Sequence, residues 1–277
     1  GKNPSDYFKY QRLDVVCNYF YEDGLRIKAF ADKEKLAREI MMRTGESREA
    51  IHRHMKYSGK IYRITNPVFL QKSLHRLTTD FSFKTLLSLG RILKIDAFRT
   101  MHNANKRFFK DKRIVQYFDR YATYNGSNPY QAPATLNVIP HLEQEYGAWF
   151  PIGGMHSITT SLVQLAESLG VTFHYNSPVT EIILEGHKAT GIKVKEDMLN
   201  ADIVVSNADI WFTYKKLLKA YPKLHPTTTL KQETSSSALV FYWGIKKEFE
   251  MLGLNNIFFS DDSRREFRIN PGLVGIS

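Results

Sequence analysis

Apolar and polar positions first settle into a repeating order between residues 12 and 31. Two runs rich in β-branched and aromatic residues, 12–21 and 25–31, are parted by Glu22, Asp23 and Gly24, and the spacing predicts a β-hairpin. Asp32 is placed to cap a helix from Lys33 to about Thr44, and Ser47 a second through about Lys56, with Asn66 and Pro67 breaking the pattern beyond. From 78 to 113 the periodicity is helical. Lys84, Ser88 and Arg91 share one face while Leu86, Leu89, Gly90 and Leu93 share another, as in an amphipathic segment. Met155, Ile158, Leu162, Leu165 and Leu169 again follow helical spacing, closed by Gly170.

Short strands are expected next at 171–175, 179–184, 189–194 and 201–206, then a helix over 210–218. A loop follows around Pro222, Pro226 and the 227–229 threonines, and 237–245 reads as a long buried strand. Helix, strand, two-strand excursion and returning strand make an α/β pattern, with no internal repeat or low-complexity tract.

Composition narrows the class. The chain has 277 residues, 43% hydrophobic and 24% charged, enough for one large or two modest folded domains and unlike a disordered chain. Cys17 is the single cysteine, so paired-cysteine zinc and redox motifs are excluded, and a reducing, cytoplasmic setting is expected. No apolar run approaches the roughly 18 residues of a membrane span. The chain opens on Gly1 and reaches a strand pair at once, which suggests an internal piece of a longer protein. A net charge of +11 favours an anionic partner, and lysines and arginines dominate 84–113. A basic amphipathic surface there suits an anionic bilayer and equally a solvated face. No reader motif accompanies it, so nucleic acid is not expected as a partner. The histidines at 52, 54, 102, 141 and 156 show no metal-binding spacing, and no metal site is expected.

The densest chemistry lies in 120–134 (RYATYNGSNPYQAPA) and 146–155 (YGAWFPIGGM). Aromatic side chains there can line a slot, and glycine and proline fix the backbone around it. With 170–173 (GVTF), 176–182 (NSPVTEI), 201–209 (ADIVVSNAD) and 256–261 (NIFFSD), the chain resembles the flavin-dependent carotenoid (phytoene) desaturases and their isomerase and saturase relatives. The resemblance implies a partial, Rossmann-like FAD-binding domain of α/β class with an inserted substrate-binding domain of mixed sheet plus helices. On that reading 1–160 belong to the substrate domain, with a basic amphipathic region at 67–118. Residues 161–210 form part of the FAD domain, and 211–277 return to the substrate domain.

The resemblance also implies roles. Tyr121, Tyr124, Tyr130, Trp149, Phe150, Gly153, Gly154 and Met155 are candidate substrate-binding residues for an isoprenoid or carotenoid polyene. The main chain of Val179 is a candidate partner of the adenine of FAD, and Ser206, Asn207, Ala208 and Asp209 match the turn at the cofactor crevice. Asp111 and Arg120 are the candidate polar catalytic groups, although an ordinary ion pair accounts for either as well. No two glycines stand one residue apart, so the G-x-G-x-x-G phosphate fingerprint is missing and the piece alone is expected to be inactive. The expected activity of the whole protein is flavin-dependent introduction of double bonds, at the cytoplasmic surface of a membrane. Polyene isomerisation, saturation or ketolase-like oxidation would use the same slot, and a non-catalytic lipid-binding module is the alternative from another class.

Overall fold

The computed structural model describes residues 3–67, 95–232, 239–262, 264–265 and 267. Their contacts divide into two units, 1–159 with 235–277, and 160–234.

The first unit grows from the hairpin. After strand β1 (Tyr10–Arg12), β2 (Val15–Tyr21) pairs antiparallel with β3 (Arg26–Phe30), and Gly24 takes the left-handed conformation (φ 85°) that the turn requires. A late strand, Asn256–Phe259, adds to the other edge of β2 in parallel, Asn18 facing Asn256, so the sheet is mixed. The helices begin where their caps say. Asp32 accepts from the amides of Glu34 and Lys35 at the head of α1 (Lys33–Thr44), which ends on left-handed Gly45. Ser47 caps α2 (Arg48–Thr65), which runs on past Lys56, and Asn66 and Pro67 continue it as a π-turn where a break was expected. Gly59 lets α2 pack closely, since a Cβ there would meet the ring of His141 at 3.2 Å.

Two short helices, α3 (Met101–Asn105) and α4 (Lys112–Asp119), then cover the sheet. The core is aromatic: Tyr19, Tyr117, Phe118 and Tyr121 are wholly enclosed with Ile27, Leu36, Ile40 and Ile51. Helix α5 (Val138–Tyr146) leads into β4 (Trp149–Pro151), which pairs antiparallel with β1. The chain passes from the first unit into the second within α6 (His156–Glu167).

The second unit holds an antiparallel meander, β5 (Val179–Glu185), β6 (Lys188–Val194) and β7 (Asp197–Asn200), turning at Gly186 and Lys195. Gly191 is required in its middle, because a Cβ would lie 2.4 Å from the carbonyl oxygen of Leu199. Beyond it come α7 (Ile210–Phe212), continued by a π-turn over Thr213–Leu217, and α8 (Thr227–Leu230).

Several expectations need correction. The expected two-strand excursion has a third strand, the polar Asp197–Asn200. Segments 171–175 and 201–206 make no strand, and neither does the described part of the 237–245 segment, 239–245. A strand exists only by sharing its backbone hydrogen bonds with a neighbour, and no neighbour pairs with them among the described residues. One helical turn, Thr227–Leu230, replaces the expected loop. The 78–113 helix is broken in its described part, where a turn at 95–98 precedes α3 and α4 starts only at Lys112. The amphipathic faces of Lys84, Ser88 and Arg91 and of Leu86, Leu89, Gly90 and Leu93 lie outside the described residues.

Candidate functional site

In the first unit the β1–β4 ribbon carries an aromatic ledge. Tyr10 meets Trp149 edge to face at 5.3 Å between ring centroids, and Phe8 lies 5.7 Å from Tyr10. The Trp149 indole N–H donates to the carbonyl of Tyr146 at 2.9 Å, which fixes the ring's direction. Gly147 is needed before it: its φ is 77°, and a Cβ would press on Arg12 Nε at 2.7 Å. Tyr10, Trp149, Ile152 and Met155 leave about half or more of their surface open, while Phe150 is half-buried. Gly153 and Gly154 follow with φ of 93° and 88°, and the Ser157 hydroxyl donates to the Gly154 carbonyl at 2.7 Å. An apolar shelf thus adjoins two residues that carry no side chain. This arrangement suits a flat, greasy ligand approaching backbone closely.

Arg120 stands elsewhere. Its guanidinium lies over three rings, Tyr19 at 5.2 Å, Tyr121 at 4.9 Å and Tyr124 at 5.0 Å. The tyrosine hydroxyls turn to Glu143: Tyr121 donates to one carboxylate oxygen at 2.5 Å and Tyr124 to the other at 3.3 Å. Burial and the nearby negative charge push the Tyr121 hydroxyl far up its range, so it stays protonated and donates. The ring faces hold the Arg120 cation without a carboxylate ion pair among the described residues. Tyr121 has no exposed surface and sits in the core. It therefore supports the cage from inside, where the sequence reading had it lining a slot. Tyr124 is open to solvent at the cage's outer end, where the Tyr124–Glu143 pair can pass a proton.

Asp111 lies in the ion pair that the sequence left open as its alternative. It caps α4 by accepting from the amide of Arg113 at 2.8 Å, and it grips the Arg113 side chain through both oxygens, at 3.0 Å and 2.6 Å. Arg113's hydrogen bonds hold its carboxyl below the usual carboxylate range despite partial burial. Asp111 and Arg120 share no contact, so the structure does not assemble them as a pair. Tyr130 lies apart from both, with its ring 4.5 Å from that of His102.

Sequence reasoning missed a buried polar chain here. His102 Nδ1 meets Asp119 at 2.6 Å, Asp119 accepts from Asn105 at 2.8 Å, and Asn105 faces His54 at 3.2 Å. Its one sequence signal is Asp119, an acid following two core aromatics, Tyr117 and Phe118.

In the second unit Val179 opens β5 opposite Val194. Asp209 caps α7 through the amide of Trp211 at 2.7 Å, and the Ser206 and Thr213 hydroxyls meet at 2.8 Å. The turn 206–209 is exposed, and Ile203 and Val205 just before it are bare to solvent. Val179 is part-buried and paired with Val194, whereas this turn stands open to solvent.

The sequence model of the flavin containing amine oxidoreductases matches residues 5–260. The chain is 41% identical over 260 residues to a 1-hydroxycarotenoid 3,4-desaturase of Flavobacterium sp. (strain P99-3), covering 94% of this chain and 53% of that protein. It is 32% identical over 272 residues to a 4,4'-diapolycopene oxygenase of Methylomonas sp, covering 96% and 53%. To the phytoene desaturase of Neurospora crassa it is 27% identical over 267 residues, covering 90% and 44%. The chain spans about half the length of the curated relatives it matches.

Proposed function

The chain belongs to the flavin containing amine oxidoreductase family, and on that premise we propose that it forms part of an FAD-dependent enzyme that introduces double bonds into a long isoprenoid polyene. The observation that carries this reading is the open aromatic ledge of Tyr10, Trp149, Ile152 and Met155 beside Gly153 and Gly154. Desaturases and oxygenases of carotenoids among the relatives give the ledge its substrate class.

FAD fits this chain on one flank. The bare turn 206–209 and the main chain at Val179 offer an adenine-side surface, and no pair of glycines one residue apart offers a cradle for its phosphates. Cofactor binding is therefore assigned to the whole protein. When bound, FAD supplies a hydride acceptor for a carbon that no side chain is basic enough to deprotonate. The residues of this chain do the rest. Trp149 and Tyr10 hold the polyene extended on the ledge, and their ring faces favour positive charge developing along it. The bare extended segments 201–206 and 239–245 favour a longer polypeptide that supplies their neighbours. Substrates of this kind dissolve in lipid, which supports a setting at the cytoplasmic membrane surface, with the protein's excess of positive charge toward anionic headgroups.

Feeding the full-length protein a colourless polyene tests the reading. Loss of hydrogen with a longer conjugated system, read by mass and by red-shifted absorbance, is the expected result. The oxygenase relatives favour a second outcome, an oxygenated product with the double-bond count unchanged. That product, or one changed only in double-bond geometry, would replace desaturation with a sibling reaction in the same slot. Vesicle binding without flavin or product would overturn the enzyme reading.

A further inference from the structure

Helix α2 turns two different faces to its surroundings. Ala50, Ile51, His54, Ser58, Ile61 and Thr65 are buried, whereas Arg53, Lys56, Lys60 and Arg63 are exposed, each three or four residues from the next. That spacing sets the four cations in one row, opposite the buried face. Like charges so placed repel and weaken a helix, so helix stability does not account for the row. None of the four lies in the basic 67–118 region read from the sequence.

The charge left over decides what the row can do. Arg48 and His52 meet Glu34 at the head of α2, while the four cations of the row form no ion pair among the described residues. Glu49 is the one acidic residue of α2, and setting it against one of the four leaves an excess of three positive charges. On neighbouring elements Glu145 is held by Lys33, Asp96 by Arg99, and Glu143 by the tyrosine hydroxyls.

An apolar feature stands beside the row. Phe98 is 84% exposed, on the turn at 95–98. The turn is firmly held. Tyr57 of α2 donates to Asp96 at 2.7 Å, Arg99 donates to both oxygens of the same carboxylate at 3.0 Å and 2.5 Å, and the Ile95 carbonyl accepts from Thr135 at 2.8 Å. Asp96 keeps a φ of 59°, uncommon for a residue with a side chain and sustained here by those bonds. A turn fixed in this way presents a bare ring next to a row of unspent cations.

We propose that the α2 row and Phe98 form the surface by which the protein docks on an anionic lipid bilayer, cations against the headgroups and the ring between them. A bilayer sets an apolar layer just beneath a charged one, which matches this pairing. The inference rests on the membrane setting proposed above and names the surface that serves it.

Sedimentation of the full-length protein with vesicles of phosphatidylcholine, alone and mixed with phosphatidylglycerol, tests it. Binding to the mixed vesicles is expected, weakening as salt is added. Lys56→Gln/Lys60→Gln should weaken it about tenfold or more and flatten its salt dependence. Phe98→Ser should weaken it about threefold or more and leave the salt dependence as in the parent. The control Lys188→Gln/Lys219→Gln, which removes the same charge from the second unit, should bind as the parent does. All five positions are exposed, so circular dichroism should show every variant folded. Binding kept in both the α2 and the Phe98 variants, or equal weakening in the control, overturns this surface and leaves the membrane setting standing. A parent that ignores the mixed vesicles overturns both. Retention of duplex DNA that the α2 variant loses, without vesicle binding, assigns the row to nucleic acid and overturns the proposal.

Discussion

Tyr117 and Phe118 have no exposed surface, whereas Tyr242 and Trp243 are 95% and 76% exposed. These are residues of the same kind, and the second pair was expected inside, on the 237–245 strand. The difference lies in their neighbours. Phe118 stacks on Phe109 at 4.8 Å and lies 4.0 Å from His54, within a sheet covered by helices on the same stretch of chain. Among the described residues the one ring that Trp243 meets is Phe241, at 5.8 Å, on a segment with no partner strand there. Aromatic surface is thus buried by an assembled ladder and cover and not by its own hydrophobicity. Among the described residues, Tyr117 and Phe118 have such covering elements and Tyr242 and Trp243 do not.

The comparison breaks most visibly if the closed core is opened. Phe118→Ala should cost about 3–5 kcal/mol in urea unfolding, because it removes a ring that stacks on one neighbour and abuts another. A loss below about 1 kcal/mol would mean that the core is as loosely held as the 239–245 segment.

Acid offers a second way in. His54 is wholly buried, and burial lowers its pKa from the ordinary 6.5 to about 4, even though Asn105 and Asn137 favour its charged form. The unfolded chain takes up this proton near pH 6.5 and the folded chain only near pH 4, so stability falls as the pH drops across that window. The full cost is about 3 kcal/mol. Asp119 works the other way, since burial raises its carboxyl pKa and acidification there favours the folded state. His54→Gln should flatten the decline between neutral pH and pH 4.5 in urea midpoints, and an unchanged slope would remove His54 as its source.

How much of this was legible follows from the same contrast. The hairpin, α1 and the start of α2 were readable because local signals decide them: Asp32 and Ser47 as caps, Gly24 and Gly45 at positive φ. The ledge was readable in part, since 146–155 concentrates aromatics and glycines. Its partner β1 was not, because a three-residue strand has no periodicity to detect. Tyr121 and Tyr124 looked alike in sequence, yet one supports the cage from inside and the other stands at its open end, a choice made by Glu143 on another helix. His102 and Asp119 come together across 17 residues, beyond any local pattern. The strands expected at 201–206 and 237–245 have strand composition, but 201–206 and 239–245 form no ladder among the described residues, and composition cannot supply the second member of a pair.

The smallest effect sharpens the comparison furthest. Tyr242→Ser should change the unfolding free energy of this chain by no more than about 0.5 kcal/mol, because a side chain 95% exposed has no burial to lose. Its self-association, followed by light scattering, should fall, since 239–245 presents Leu239, Val240, Phe241, Tyr242 and Trp243 together as bare apolar surface with no partner strand among the described residues. In the full-length protein the same substitution should destabilise by about 1–3 kcal/mol, the cost of removing a ring packed against a neighbouring strand. A destabilisation of equal size in both would show that the segment is already packed in this chain, and the contrast with the Tyr117–Phe118 core would vanish.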